Sequence, residues 1–345
     1  MLRRYTLFLL ALSFVLALVP RASAQDDDPT FTTIQPPDAD GAFTFLFDIN
    51  DRGDMVGAYN AAPDSHRSGF LRTEDGEFTR IDFPGSIRTH ADAINRRGDI
   101  VGWYARVPGE IHGYLRTKDG EFTQIDFPGA TDTRPVGINS RGDIVGFYCV
   151  DTSAPQCGLV VNNRTHGFLL SEGKFTSIDV PDALGTQAYK INLHGQILGR
   201  YRDAGPERRS HLFLLSEGKF TSIDFPGAVE TGVDGANAGL NSRGDIVGDY
   251  CDIATAPCIS YPLNGNVYGF LLREGEFTTI DVPGAIATSA YGINARGDIV
   301  GAFNIDTSNT VGFLRIRENE TERENSDQGP LALLPNPHRI DTLMR

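Results

Sequence analysis

Short apolar runs punctuated by Gly and Pro recur along the chain, and runs of that length read as β-strands. One phrase repeats: a strand ending in Ile-Asn, a Gly three residues after the Asn, then Ile-Val-Gly and an aromatic residue. Its Asn stands at Asn50, Asn95, Asn139, Asn192, Asn241 and Asn294, at spacings of 45, 44, 53, 49 and 53 residues. Repeats of this size build a propeller or a solenoid. Each copy holds four strand-like segments, which the second copy shows at 90–95, 99–104, 112–115 and 121–125. They predict one four-stranded antiparallel blade per copy.

The two ends decide between an open and a closed array. The sixth copy stops after its third strand. Its missing fourth strand stands at the other end of the chain as Phe31-Thr32-Thr33-Ile34, a close match to Phe277-Thr278-Thr279-Ile280. An open solenoid has no reason to carry this permuted strand, whereas a ring uses it to leave no long unpaired edge. The predicted fold is all-β: a six-bladed β-propeller over residues 31–316, closed by the N-terminal strand in the last blade. Aromatic residues recur after Val-Gly (Tyr59, Tyr104), in the third strand (Phe70, Tyr114) and in the fourth (Phe78, Phe122) of the copies. A stripe this regular packs blade on blade instead of lining a cofactor box, and no cofactor is expected.

His112-Gly113-Tyr114-Leu115, His166-Gly167-Phe168-Leu169 and the run from Tyr291 to Gly301 resemble the HAF-type bacterial extracellular repeat, over about residues 31–316. The resemblance implies a secreted bacterial protein and brings no activity or catalytic residues with it. This chain departs from the family at the middle Ala, which is Gly here. Ser68, Tyr268 or Val311 can replace the His, which argues against a metal role for it.

The ends outside the repeats read as an address and a tail. Residues 1–24 combine Arg3 and Arg4, an apolar run and the small-residue site Ala22-Ser23-Ala24, the pattern of a signal peptide. The apolar run is 15 residues, short of the roughly 20 that span a bilayer. A short linker (25–30) follows, and residues 317–345 read as a flexible tail. The expected location is secreted, extracellular or periplasmic. Export makes the four cysteines readable as disulfides, and their local pairing predicts Cys149–Cys157 and Cys251–Cys258. The net charge of −14 repels phosphate backbones, which excludes a nucleic-acid partner.

Topology then sorts the loops. First-to-second and third-to-fourth turns share one face of the ring, and their lengths hardly vary. Second-to-third loops and blade connections share the other. There the spacings between the flanking aromatics are 11, 10, 20, 12, 20 and 10, with both cysteine pairs in the two longest. Variable loops on a rigid scaffold are where binding concentrates. First-strand positions that differ between copies supply the candidate ligand-binding residues His90, Asp92, Arg134, Gln187 and Lys190, with Asp48, Tyr189 and Asn237 at related places. A mixed polar rim of this kind suits a glycan, although a solvated polar channel has the same composition. In this reading Arg134 serves an acidic ligand.

Three repeated motifs read as structure. Arg-Gly-Asp occurs five times, but the fourth copy has His194-Gly195-Gln196 and keeps only the Gly, which fits a hairpin needing positive φ. Asn-x-x-Gly-Asp offers too few oxygens for calcium. The Asp of Ile-Asp-x-Pro reads as a residue bonding turn amides. No metal site and no catalytic residue is assigned, since the Gly-x-Ser-x-Gly and His-Glu-x-x-His motifs are missing. The expectation is a monomeric, non-catalytic binding or interaction module for an extracellular glycan or protein. The alternative is a glycan-active hydrolase or lyase using acids near the axis, with Asp92, Glu230 and Asp234 as candidates.

Overall fold

A computed structural model describes residues 30–63, 66–150, 165–233, 238–252, 258 and 267–317. Among the described residues the regular structure is all β, and no helix is long and apolar enough to cross a membrane. Six units of four antiparallel strands follow one another. Unit two runs Arg88–Ile94, Ile100–Ala105, His112–Arg116 and Phe122–Ile125, each strand antiparallel to the one before. In unit six the outer place is taken by Phe31–Ile34, antiparallel to Thr310–Arg315 with Ile34 opposite Gly312. Single parallel bridges, Phe43 to Thr310 and Arg67 to Arg88, stitch unit six to one and unit one to two.

The repeat Asn closes the ring a second time. Each Asn Nδ2 donates to the backbone carbonyl of the next repeat Asn: Asn50 to Asn95 (3.2 Å), Asn95 to Asn139 (3.3 Å) and Asn139 to Asn192 (3.4 Å). Asn192 continues to Asn241 (3.3 Å), Asn241 to Asn294 (3.0 Å), and Asn294 returns to Asn50 (3.3 Å). The other Nδ2 hydrogen goes to the Asp four residues on, as from Asn95 to Asp99. Oδ1 accepts the amides of Arg97 and Asp99. All four hydrogen-bonding sites of the buried carboxamide are thereby used, which is why the position is Asn in every copy.

The Gly of Val-Gly has an equally local cause. Each complete inner strand carries a bulge at the equivalent place, as between Ala91 and Ala93. Beside it the two backbones approach so closely that a Cβ on Gly102 would stand 2.0 Å from the His90 carbonyl oxygen. Gly102→Ala is expected to destabilise the protein by roughly 1–3 kcal/mol through overpacking. The midpoint of urea unfolding measures this, and an unchanged midpoint would show that the approach relaxes freely.

Core residues lie between neighbouring sheets. Val56, Ile81 and Phe83 pack with Ala91, Ile100, Tyr104 and Tyr114 across units one and two. Phe83 stacks flat on Tyr104 with ring centroids 3.6 Å apart, and Phe127 does the same on Tyr148. Burying each such ring contributes roughly 1.5–3 kcal/mol.

Two expectations change. The inner strand of unit five is interrupted, forming only Glu230–Thr231 and Gly239–Leu240, because four extra residues separate Thr231 from Leu240 relative to Thr133 and Ile138. The Asp of Ile-Asp-x-Pro does not bond the turn amides. Asp126, Asp179 and Asp224 instead pair with His112, His166 and His211 at 3.0, 2.8 and 2.7 Å, while an inner-strand Thr takes the turn amide, as Thr133 does from Phe127. The carboxylate reaches across to the third-strand His, and the shorter Thr hydroxyl is the group that fits beneath the turn. The Cys251–Cys258 disulfide is present. Cys157, the 1–24 address, Asp234, Asn237 and the tail from 318 lie outside the described residues.

Candidate functional site at the ring axis

Inner strands deliver the candidate residues to the axis. Lys190 of unit four crosses the ring: its Nζ is 3.2 Å from Asp48 Oδ2 of unit one and donates to the Asp92 carbonyl of unit two at 3.4 Å. His90 stacks on Trp103 at 3.9 Å and faces Phe47 at 5.7 Å. The Arg134 guanidinium lies 5.0 Å from the Trp103 ring centre and 5.7 Å from that of Phe147. His90, Asp92, Arg134 and Lys190 therefore meet. Gln187 stands apart, fully buried and accepting the Tyr189 hydroxyl at 2.7 Å.

The axis is not the solvated channel that its polar residues suggest. The bulged positions Phe47, Asp92, Val136, Tyr189 and Tyr291 are all buried, and so is Ala238 beside the interrupted strand of unit five. Phe45, which packs against Phe47 and Tyr291, is half-buried. Alternation along the inner strand cannot show this, because each bulge turns one extra side chain inward.

Most charge at the site is internally compensated. Arg134 donates from Nε and Nη2 to the two oxygens of Asp132, at 3.0 and 2.9 Å, so an acidic ligand would have to compete for it. Burial raises the Asp48 carboxyl pKa, with Lys190 only partly offsetting that. Burial, then Arg67, Arg134 and Arg88, pushes His90 well below its ordinary value and keeps the imidazole neutral. Asp92 is pushed up to about 7 by burial, against the pull of Lys190 and Arg134. Two atoms stay unsatisfied: His90 Nε2 and Asp92 Oδ2 are buried with no hydrogen-bond partner.

The opposite face is built from clips. In the Arg-Gly-Asp turn of unit two, Arg97 donates to Asp99 Oδ2 (2.9 Å) and to the Ser140 carbonyl of unit three (2.9 Å). Burial raises Asp54, Asp99, Asp143 and Asp245, but hydrogen bonds from Asn, Arg or Ser outweigh it and hold all four below the usual carboxylate range. In unit four Gln196 Oε1 takes the place of the Asp oxygen, accepting from Asn192 at 2.8 Å. The motif's side chains are thus committed to the ring.

Sequence reasoning passed over the residue after Val-Gly, which is Ala58, Trp103, Phe147, Arg200, Asp249 and Ala302 in the successive units. In register it sits beside the candidate inner-strand residue, as Trp103 does beside His90 and Arg200 beside Gln187. Its variation between copies was a signal of the same kind as the one used for the inner strand.

No family model matches the sequence, and no curated protein matches it. Among solved structures the chain is distantly similar to β-propeller proteins. The lectin of Aleuria aurantia in complex with Fucα1-6GlcNAc is 10% identical with a TM-score of 0.48, over 81% of this chain and 93% of that one. A gluconolactonase from Xanthomonas campestris is 11% identical with a TM-score of 0.49, over 84% and 91%. The β-propeller domain of the Trilobed protease from Pyrococcus furiosus is 11% identical with a TM-score of 0.44, over 80% and 96%.

Proposed function

We propose that the protein is a secreted six-bladed β-propeller of HAF type, and that it acts as a non-catalytic binding module for an extracellular glycan or protein. The ligand seats at the axis on the variable-loop face. One observation carries the reading: His90 Nε2 and Asp92 Oδ2 are buried and lack partners, and the His90 ring stacks on Trp103 and faces Phe47. Unsatisfied buried polar groups are costly, and a ligand hydroxyl supplies what they lack. The motif resemblance over residues 31–316 supports the HAF assignment, and the pattern of residues 1–24 supports export.

A glycan and polysaccharide array on the secreted protein, with turnover monitored, is the test. Binding is expected, with affinity falling about tenfold or more in His90→Ala, the loss of one buried hydrogen bond and a stacked ring. Array-wide silence, or a His90→Ala variant that binds like wild type, would remove the axial site. A single feature favours the alternative hydrolase or lyase. Asp92, with its pKa near 7, is matched to proton transfer at neutral pH, and product release in the same array would favour that reading.

A further inference from the structure

Unit four carries two arginines on its second strand, Ile197–Arg202. Arg200 and Arg202 are two residues apart and so face the same side of the sheet. That side meets unit five: Arg200 Nη1 donates to the Val233 carbonyl at 3.4 Å, and Arg200 Cδ lies 3.6 Å from the place of a Cβ on Gly232. Arg200 is only 4% exposed. Both Nε atoms are buried without a hydrogen-bond partner, and among the described residues no salt bridge reaches either guanidinium.

This is anomalous within the molecule. The other buried cations at the axis are paired, Arg134 with Asp132 and Lys190 with Asp48. A buried guanidinium without a salt-bridge partner is strongly unfavourable, and the half-buried Arg202 stands beside it. Burial and the neighbouring Arg200 lower the Arg202 pKa. Glu230 is the acid facing them. It is half-buried, and burial holds its carboxyl above the usual range despite Arg202, Arg200, Arg209 and His211. The inner strand of unit five is interrupted at the same level, between Thr231 and Gly239. Arg202, half-buried, ends its strand on the variable-loop face.

We propose that Arg200 and Arg202 form an anion site between units four and five that takes the carboxylate or sulfate group of an acidic saccharide. The N–H forks of two guanidiniums match such oxyanions, and charge-assisted bonds to them are the strong class. The saccharide half of this proposal rests on the binding function above, and the anion half does not. Arg134, already held by Asp132, gives up that role to the unpaired arginines.

The test is thermal unfolding and calorimetric titration of the full chain at constant ionic strength. The probes are sodium sulfate, trigalacturonate and neutral maltotriose. A saturable rise in melting temperature is expected with sulfate, with trigalacturonate or with both, the responding probe identifying the oxyanion. In Arg200→Met that affinity falls about tenfold or more, while the melting temperature without anion rises because an unpaired buried charge is gone. Arg202→Met, at the more open position, should weaken the anion without harm to folding. Glu230→Gln should tighten it by removing a like charge. The proposal is overturned if neither anion moves the wild-type melting temperature. It is equally overturned if Arg200→Met lowers that temperature and leaves anion affinity intact, which would make Arg200 a strut balanced by Glu230. Anion binding that survives in His90→Ala, with glycan binding lost, shows the two sites to be separate.

Discussion

Deletion of residues 25–36 is expected to give a chain that aggregates on mild heating and melts far below the full-length protein. The deleted part contains the outer strand of unit six, in which Phe31, Thr32, Thr33 and Ile34 stand opposite Arg315, Leu314, Phe313 and Gly312. Ile34 is buried with Leu46, Ile49 and Phe70, and Phe31 makes an edge contact with Phe313 at 5.5 Å. Two apolar side chains at roughly 1.5–3 kcal/mol each and a few ladder hydrogen bonds at about 1 kcal/mol each bring the loss to roughly 5 kcal/mol or more. That is a large share of the stability of a typical domain. The strand Thr310–Arg315 would also become an unpaired edge, open to a second chain. Size-exclusion chromatography with light scattering and a melting curve measure both effects. A truncated protein of unchanged size and melting temperature would show that this strand does not hold the ring.

Asp92→Asn is expected to raise stability at pH 8 and to flatten its dependence on pH between about 4 and 7. In the folded protein burial lifts the Asp92 pKa from 3.8 to about 7, with Lys190 and Arg134 pulling the other way. A carboxyl raised on folding contributes stability that is fully present below its unfolded pKa and is lost as pH rises through the folded one. The wild type should therefore lose more stability than the variant between about pH 4 and 7, while Asp48 and Glu230, also raised by burial, act alike in both proteins. A difference of about 3 between the two values is worth roughly 4 kcal/mol at most. Below pH 4 both proteins should lose stability together, because Asp54, Asp99, Asp143 and Asp245 have lowered values and surrender their contribution as they protonate. Parallel pH–stability curves for wild type and variant between pH 4 and 8 would show that Asp92 stays ionised, which implies that Lys190 or a bound counter-charge compensates it.

How far the site was legible varies with the kind of interaction. His90, Asp92, Arg134 and Lys190 could be picked from the sequence because the repeat is its own control: a position that changes while its neighbours recur is under a different constraint. The same logic applied to the second strand would have found Trp103 and Arg200. Their pairing could not be read, since Arg134 is tied to its strand neighbour Asp132 while Lys190 is tied to Asp48, on a strand 142 residues away. The role of the Asp in Ile-Asp-x-Pro was misjudged for a related reason. Turn chemistry is local, but its partner His lies 13 or 14 residues upstream on the third strand, as His112 does for Asp126.

By itself the sequence determined the strands, the six-fold repeat and the chain's own closing piece, because each rests on local patterning that every copy states again. Short runs, Gly-marked turns and a permuted Phe-Thr-Thr-Ile need no knowledge of what lies across the ring. The tertiary structure alone decided that the axis is plugged instead of wet, that the six Asn carboxamides form a closed circuit, and which charges have partners. Those outcomes depend on bulges that reorient single side chains and on distances between strands far apart in the chain. A shift of one residue in an inner strand would exchange a buried, unpaired Asp92 for an alanine, and no composition or spacing records that difference.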